Sequence, residues 1–238
     1  FYNTYKVLKT LQERMFGWVG DNKLRTTITI ILLTGYYFCL PRTLFQEPYS
    51  TVIESAEGDL LAARIARDGQ WRFPAQDSVP YKFRKCIVFF EDQHFYSHPG
   101  FNPIAIVKAM WQNYDAGKVV RGGSTLTQQV VRLSREGKKR SYIEKLLEML
   151  FATRLEIRHS KDEILGLYAA HAPYGGNVVG LEMASWRYFG VQPNQLSWAE
   201  TATLAVLPNA PSLIYPGKNQ QNLLSNWAAN PPTSSLKM

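Results

Sequence analysis

The stretch "VRGGSTLTQQVVR", residues 120–132, sets two glycines directly before a Thr-x-x-Gln pattern. Gly122 and Gly123 let the backbone turn sharply, and Thr125 with Gln128 matches a capping box, so a helix is predicted to start here. The free amides of that helix end face whatever docks there, which makes it a ready anion site. Arg121 before it and Arg132 within it add positive charge, while Gln128 and Gln129 suit sugar hydroxyls or amides. Alone, the stretch reads equally as an ordinary glycine turn before a capped helix. A Walker-type phosphate loop needs Lys before the Ser/Thr, and Gly123 holds that place, which disfavours nucleotide binding.

Start signals of the same kind recur outward from this point: Asn102 before Pro103, Ser160 three before Glu163, and Ser197 three before Glu200. Together they predict a mainly α domain. In "SYIEKLLEMLFATRLEIRH", residues 141–159, Ile143, Leu146, Leu147, Leu150, Phe151 and Leu155 fall on one apolar face of a long helix. Glu148 shares a face with Lys145 one turn earlier and Arg140 two turns back, the ordinary pattern of a solvated salt-bridge face.

"EDQHFYSHPG", residues 91–100, packs two acids, two histidines and two aromatics directly after the apolar run "IVFF". The helix implied by "RKCIVFFED" ends near Pro99, and Glu91 stands where apolar burial gives way to polar surface. A carboxylate so placed is partly desolvated, which raises its pKa toward the range a general base needs near neutral pH. This favours Glu91 over Asp92 as the base. His94 and His98, four residues apart, could ligate a metal with help from either acid, but the Pro99-Gly100 break spoils the helical geometry of a two-His site. Such histidines more often fix a loop through hydrogen bonds.

A chain of 238 residues that is 45% hydrophobic can bury one domain core plus an extra segment. Its net charge of +8 suits an anionic partner: nucleic acid, acidic lipid or a phosphorylated substrate. Two cysteines, Cys39 and Cys86, read as small buried hydrophobes and exclude a disulfide framework or thiolate metal site.

"TTITIILLTGYYFCLP", residues 26–41, carries no charge and lies between Arg25 and Arg42. Its sixteen residues make about 24 Å of helix against a hydrocarbon core of about 30 Å, so Arg42 must snorkel or the following "TLF" must help it span. Lys6, Lys9, Arg14, Lys23 and Arg25 outweigh Glu13 and Asp21 upstream, which by the positive-inside rule keeps the N-terminus cytoplasmic and the rest outside. Tyr36, Tyr37 and Phe38 read as an interfacial aromatic belt, and no small-residue cleavage site follows, so an uncleaved signal anchor is expected. Between anchor and helical domain, "YSTVIESAEGDLLAARIARDGQWRF" (49–73) reads as a small β-hairpin around "EGD", with a second turn at "RDGQ".

These motifs together resemble the peptidoglycan glycosyltransferase domain (glycosyltransferase family 51) of class A penicillin-binding proteins, over about residues 84–216. "EDQHFYSHPG" fits its Glu-Asp-x-x-Phe-x-x-His-x-Gly pattern and "GGSTLTQQVVR" its Gly-x-Ser-Thr-x-Thr-Gln-Gln pattern. "EKLLE" stands where the family has Arg-Lys-x-x-Glu, "LYAAHAPYGGNVVG" where it has a Tyr-Leu-Asn and Gly segment, and "LPNAPSLIYP" fits the closing proline-rich motif. The "APYGG" form and the segment before the domain are similar to the penicillin-binding protein 1C branch.

The resemblance implies a lysozyme-like fold in which Glu91 is the general base. It deprotonates the 4-hydroxyl of an acceptor N-acetylglucosamine, which attacks the lipid-pyrophosphate-linked sugar of the growing chain with inversion. Glu148 matches the family's second glutamate, which orients the leaving phosphate or holds a divalent metal, Mg or Mn. Arg132, Arg140 and Lys145 neutralise the pyrophosphate. Asp92, Phe95, His98, Gly123, Ser124, Thr125, Gln128 and Gln129 complete the substrate-binding set. Three departures stand out: Glu144 replaces the arginine of the third motif, Arg132 stands where lysine is usual, and Ala169-Ala170 replace Leu-Asn. The first exchanges a cation for an anion beside a pyrophosphate.

The expected organisation is a cytoplasmic tail (1–25), a transmembrane signal anchor (26–44), a β-hairpin linker (45–80), a glycosyltransferase domain (81–218) and a poorly ordered tail (219–238). The bacterial inner membrane, lipid II, the growing glycan chain and other cell-wall synthesis proteins are the implied partners; nucleic acid is not. A muramidase-like hydrolase and a non-catalytic cell-wall scaffold are the competing readings. The only Ser-x-x-Lys spacing, Ser234 to Lys237, ends the sequence given, so no transpeptidase is expected around it.

Overall fold

The computed structural model describes residues 22–76, 78–117, 122–135 and 141–209. Arg121, Arg140, most of the N-terminal basic run, the end of the proline-rich motif and the C-terminal tail lie outside the described residues. The chain divides into two compact units, Phe1–Arg42 and Thr43–Met238.

In the first unit a single described helix, α1 (Lys23–Phe38), carries no buried residue. It begins before the expected anchor start at 26 and stops at Phe38, short of 44, because Pro41 cannot continue a helix and disfavours helical backbone just before it. Among the described residues no helix is long and apolar enough to cross a membrane. Cys39, expected to be buried, is only half-buried just past the helix end, whereas Cys86 is buried.

The second unit opens with the expected hairpin, β1 (Thr51–Glu54) and β2 (Leu60–Arg64), paired antiparallel with Thr51 opposite Arg64 and Ile53 opposite Ala62. Both strands are largely exposed. Then come β3 (Trp71–Arg72), α2 (Tyr81–Glu91), a 3-10 turn (Phe95–Ser97), α3 (Pro103–Asp115), α4 (Leu126–Leu133) and α5 (Tyr142–Arg158). The chain continues through α6 (Lys161–His171), β4 (Pro173–Gly175), β5 (Val178–Val179), α7 (Leu181–Phe189) and α8 (Trp198–Val206). β3 pairs parallel with β5, and β5 antiparallel with β4, a three-stranded sheet absent from the sequence reading. Strands of two or three residues are too short to leave a periodicity.

The helix starts follow the sequence closely. Asn102 accepts the Ala105 amide with Pro103 in the first turn, and Thr125, Ser160 and Ser197 each close a full capping box. Ser141 caps α5 as well by accepting the Glu144 amide, but the Glu144 side chain turns to Arg135 and does not close the box. The helix of "RKCIVFFED" ends at Glu91 and not near Pro99, and the 3-10 turn fills the gap.

Phe83, Ile87, Leu126, Val130, Leu155 and Ile164 are fully buried and form the centre of the core. The long apolar face expected on α5 divides. Leu155 is buried, yet Ile143, Leu146 and Leu150 are exposed, and the buried side of the first turns carries Glu148 instead. α3 behaves alike, with Ile104, Val107, Trp111 and Tyr114 exposed and only Ala109 buried.

Two glycines allow the backbone crossings that build the site. At Gly100, φ is +95° and a Cβ would lie 2.7 Å from the backbone of Ala152, so the chain crosses α5 at main-chain contact. At Gly123 a Cβ would come within 3.0 Å of the Ile106 Cα, which brings the 122–124 loop onto α3.

Glu182 in the first turn of α7 gives the fold a pH dependence. Burial, with a further push from the Glu54 carboxylate, raises its carboxyl from an ordinary 4.5 to about 7. Folded protein then binds more protons than unfolded protein between those values, so this contribution to stability is present at low pH and lost as pH rises through about 7. Glu182→Gln is expected to flatten the fall in denaturation midpoint between about pH 5 and pH 8. Parallel pH profiles for parent and variant would contradict this.

Candidate active site

The end of α2 sends two adjacent carboxylates in different directions. Glu91 closes the helix behind Phe89 and Phe90, and Asp92 leaves it with extended backbone (φ −160°, ψ 79°). Glu91 is half-buried at the wall of a cleft of about 1730 Å³, and its Oε2 accepts a hydrogen bond from Gln129 Nε2 at 2.7 Å. Ser124, Gln129, Arg132 and Tyr168 line the same cleft, and Ala105 and Lys108 of α3 form part of its opposite wall.

Asp92 has structural work. Its buried Oδ2 accepts from His98 Nε2 at 2.8 Å and from the Leu126 amide at 3.1 Å. Leu126 is the first residue of α4, so the carboxylate sits on that helix's N-terminus, where the peptide dipoles favour an anion. The Gly100 amide donates to His98 Nδ1 at 3.2 Å, which leaves the ring proton on Nε2, facing Asp92. Thr125 Oγ1 donates to the Gly100 carbonyl at 2.6 Å and accepts the Gln128 amide at 3.2 Å. The first and second motifs are thus sewn together around buried polar atoms.

This changes the reading of the helix-end anion site. The Leu126 amide is taken by Asp92 and the Gln128 amide by Thr125, so two of the amides at this helix end already serve the chain's own groups. Gln128 is fully buried, and its Oε1 accepts from the Thr125 amide at 3.1 Å. Of the two glutamines, Gln129 is the one that reaches the cleft. Phe95 is fully buried beneath the Lys161 ammonium, which lies 4.5 Å from its ring centre and bonds to the His98 carbonyl and Glu156. Phe95 and Gln128 therefore lie behind the cleft, whereas Asp92, His98 and Thr125, though buried and internally bonded, form part of its wall.

The cationic side is built by α5. Lys145 Nζ donates to Ser124 Oγ (2.6 Å), Glu148 Oε2 (3.1 Å) and Gln128 Oε1 (3.3 Å), so its charge bears on the glycine loop. Glu148 is buried and ion-paired with Lys145, not a solvated surface acid. Arg132 faces the cleft from α4. His98 is committed to Asp92 and His94 is exposed, which ends the two-His metal reading. Among the described residues no group of three His, Cys, Asp or Glu could hold a metal ion.

Tyr168 is the residue sequence reasoning missed. It lines the cleft, its hydroxyl is buried without a hydrogen-bond partner among the described residues, and burial with the nearby Glu91 charge pushes its pKa well above the ordinary value. Its place in "LYAAHAPYGG", a motif segment, was the available signal.

Removing the Asp92 carboxylate strands two buried N–H groups at once. Asp92→Ala is expected to cost about 2–4 kcal/mol of folding stability. An unchanged melting temperature would show that Asp92 does not hold the two motifs together.

Comparison with known proteins was made against this geometry. The transglycosylase family model matches residues 58–230. Penicillin-binding protein 1C of Escherichia coli is 38% identical over 179 residues, 75% of this chain and 23% of that protein. Penicillin-binding protein 1F of Bacillus subtilis is 31% identical over 199 residues, covering 82% of this chain and 27% of its own length. Penicillin-binding protein 1B of Haemophilus influenzae is 35% identical over 236 residues, covering 90% and 30%. The chain spans about a quarter of the length of these relatives.

Proposed function

Because the chain belongs to the transglycosylase family, whose members here are penicillin-binding proteins, we propose that it polymerises lipid II into glycan strands as a membrane-anchored peptidoglycan glycosyltransferase. The observation that carries this reading is the half-buried Glu91 carboxylate, held by Gln129 in a cleft that Arg132 also lines. A lysozyme-like arrangement of the helices around the cleft is part of the same proposal.

The chemistry follows from the charges. The Gln129 hydrogen bond fixes one oxygen of Glu91 and orients the carboxylate for proton removal. The acceptor 4-hydroxyl gives its proton to Glu91 as its oxygen bonds to the anomeric carbon. The bond from that carbon to the pyrophosphate oxygen breaks, the configuration inverts, and the electron pair leaves with the diphosphate. A diphosphate departs without a strong acid, so what it needs is fixed positive charge. Arg132 in the cleft and Lys145 bonded to Ser124 can supply it. Glu148 holds the Lys145 ammonium in place. Glu148 is the residue that would hold a divalent ion, Mg or Mn, which would supply further positive charge toward the diphosphate.

The exposed apolar residues support work at a bilayer. Ile104, Val107, Trp111 and Tyr114 on α3, with Tyr142, Ile143, Leu146 and Leu150 on α5, lie on the two helices that touch the 122–124 loop. Such a rim can enter a lipid interface while the cleft takes a lipid-linked sugar. The apolar α1 serves as the anchor in this reading, with the second unit on the outer face of the bacterial inner membrane.

Fluorescent lipid II incubated with the parent protein is expected to give glycan polymer, and Glu91→Gln to lower the rate by about a hundredfold or more. Shortened glycan from preformed strands would indicate a hydrolase. No product from either substrate would indicate a scaffold.

A further inference from the structure

We propose that the ion pair between Arg135 and Glu144 is a positioning device that holds Lys145 against Ser124, and so replaces by a clasp what the related motif achieves with a cation at position 144. Arg135 stands two residues past the end of α4, and Glu144 lies in the first turn of α5. Its Nε and Nη2 both donate to Glu144 Oε1, at 2.8 and 2.7 Å, and its guanidinium lies 4.5 Å from the Phe151 ring centre. Both side chains are largely shielded, at 24% and 16% exposed, so the pair is screened less than a surface one.

The geometry ties the clasp to the site. Residue 144 precedes Lys145, whose three N–H donors are directed to Ser124, Gln128 and Glu148. A lysine has a long, flexible stem, and three acceptors are met at once only if the start of α5 is fixed in distance and rotation. At the far end of the helix pair Thr127 donates to Glu156 at 2.5 Å, and Lys161 holds Glu156 in turn at 2.7 Å. Residues 135 with 144 and 127 with 156 are the contacts of two antiparallel helices pinned at both ends. Without the first pin, the turn carrying Lys145 loses its ion-pair tether to the chain just past α4.

The clasp also answers the charge reversal at position 144. An uncompensated carboxylate beside a diphosphate would oppose binding. Glu144 is instead turned to Arg135, while its amide bonds to Ser141 Oγ at 3.0 Å. The anion at 144 is thereby neutralised within the fold, while Arg132 and Lys108 line the cleft and Lys145 bonds to Ser124 on the glycine loop.

The test uses the full chain and two readouts, one of which needs no activity. Lys145 is labelled with an acetylating reagent and its rate read by peptide mass spectrometry, with Lys85 as internal control. Arg135→Gln and Glu144→Gln are each expected to speed Lys145 acetylation about three- to tenfold while Lys85 is unchanged. The double exchange Arg135→Glu with Glu144→Arg is expected to restore the parent rate, and Arg135→Lys to restore part of it. The kinetic arm, which rests on the glycosyltransferase reading, predicts a KM for lipid II raised by a similar factor with kcat within about twofold. Unchanged Lys145 labelling in the single variants, a rise shared by every lysine, or a double exchange no better than its singles overturns the proposal. A parent protein that makes no polymer overturns the glycosyltransferase reading and leaves the labelling result to decide the clasp.

Discussion

One carboxylate organises this molecule. Asp92 accepts a ring N–H from His98 and a main-chain N–H from the first residue of α4, two donors from segments about thirty residues apart in sequence. Both donors are buried, where an unmet hydrogen bond is expensive, so neither segment can move without breaking the other. The neighbouring Glu91 is freed from structural duty by this arrangement. An acid that anchors a helix end is a poor candidate for taking a proton, and an acid held by a neutral carboxamide at a cleft wall is a good one.

The second constraint is steric. Gly100 crosses the backbone of α5 where even one methyl group would collide, and Gly123 lies against α3 almost as closely. These approaches bring the glycine loop between two helices, so a hydroxyl on that loop, Ser124, comes within 2.6 Å of a lysine from α5. The polar groups around it are met internally: Thr125 and Gln128 serve each other, Glu148 serves Lys145, and Arg135 serves Glu144. Among the side chains that line the cleft, Glu91, Gln129, Arg132, Tyr168 and Lys108 stand beside Ser124 and the buried Asp92, His98 and Thr125.

Apolar residues are divided between two tasks. Phe83, Ile87, Leu126 and Val130 fill the core, while α3 and the first turns of α5 turn theirs outward. Period alone marks a helix face as apolar but cannot say what covers it. On α5 the same turn buries Glu148 and exposes Leu146, the reverse of what hydropathy would assign, because Lys145 supplies the buried acid with a partner. The sheet of β3, β4 and β5 was likewise invisible, since its strands are only two or three residues long and Trp71 of β3 pairs with Val178 of β5, far along the chain.

Local chemistry determined the helix starts. Asn102-Pro103, Thr125 with Gln128, Ser160 with Glu163 and Ser197 with Glu200 act within four residues, so their caps were readable in order along the chain. The motifs also pointed to Glu91, Gln129, Arg132 and Lys145, of which the first three line the cleft and the fourth bonds to Ser124. Only the tertiary structure decided which groups serve the cleft and which serve the fold. Asp92 and Glu91 are neighbours of nearly equal intrinsic chemistry, as are Gln128 and Gln129, and each pair is parted by which partners the folded backbone brings within 3 Å or so. Such long-range contacts depend on where α4 and α5 come to rest, a matter that no short window of sequence encodes.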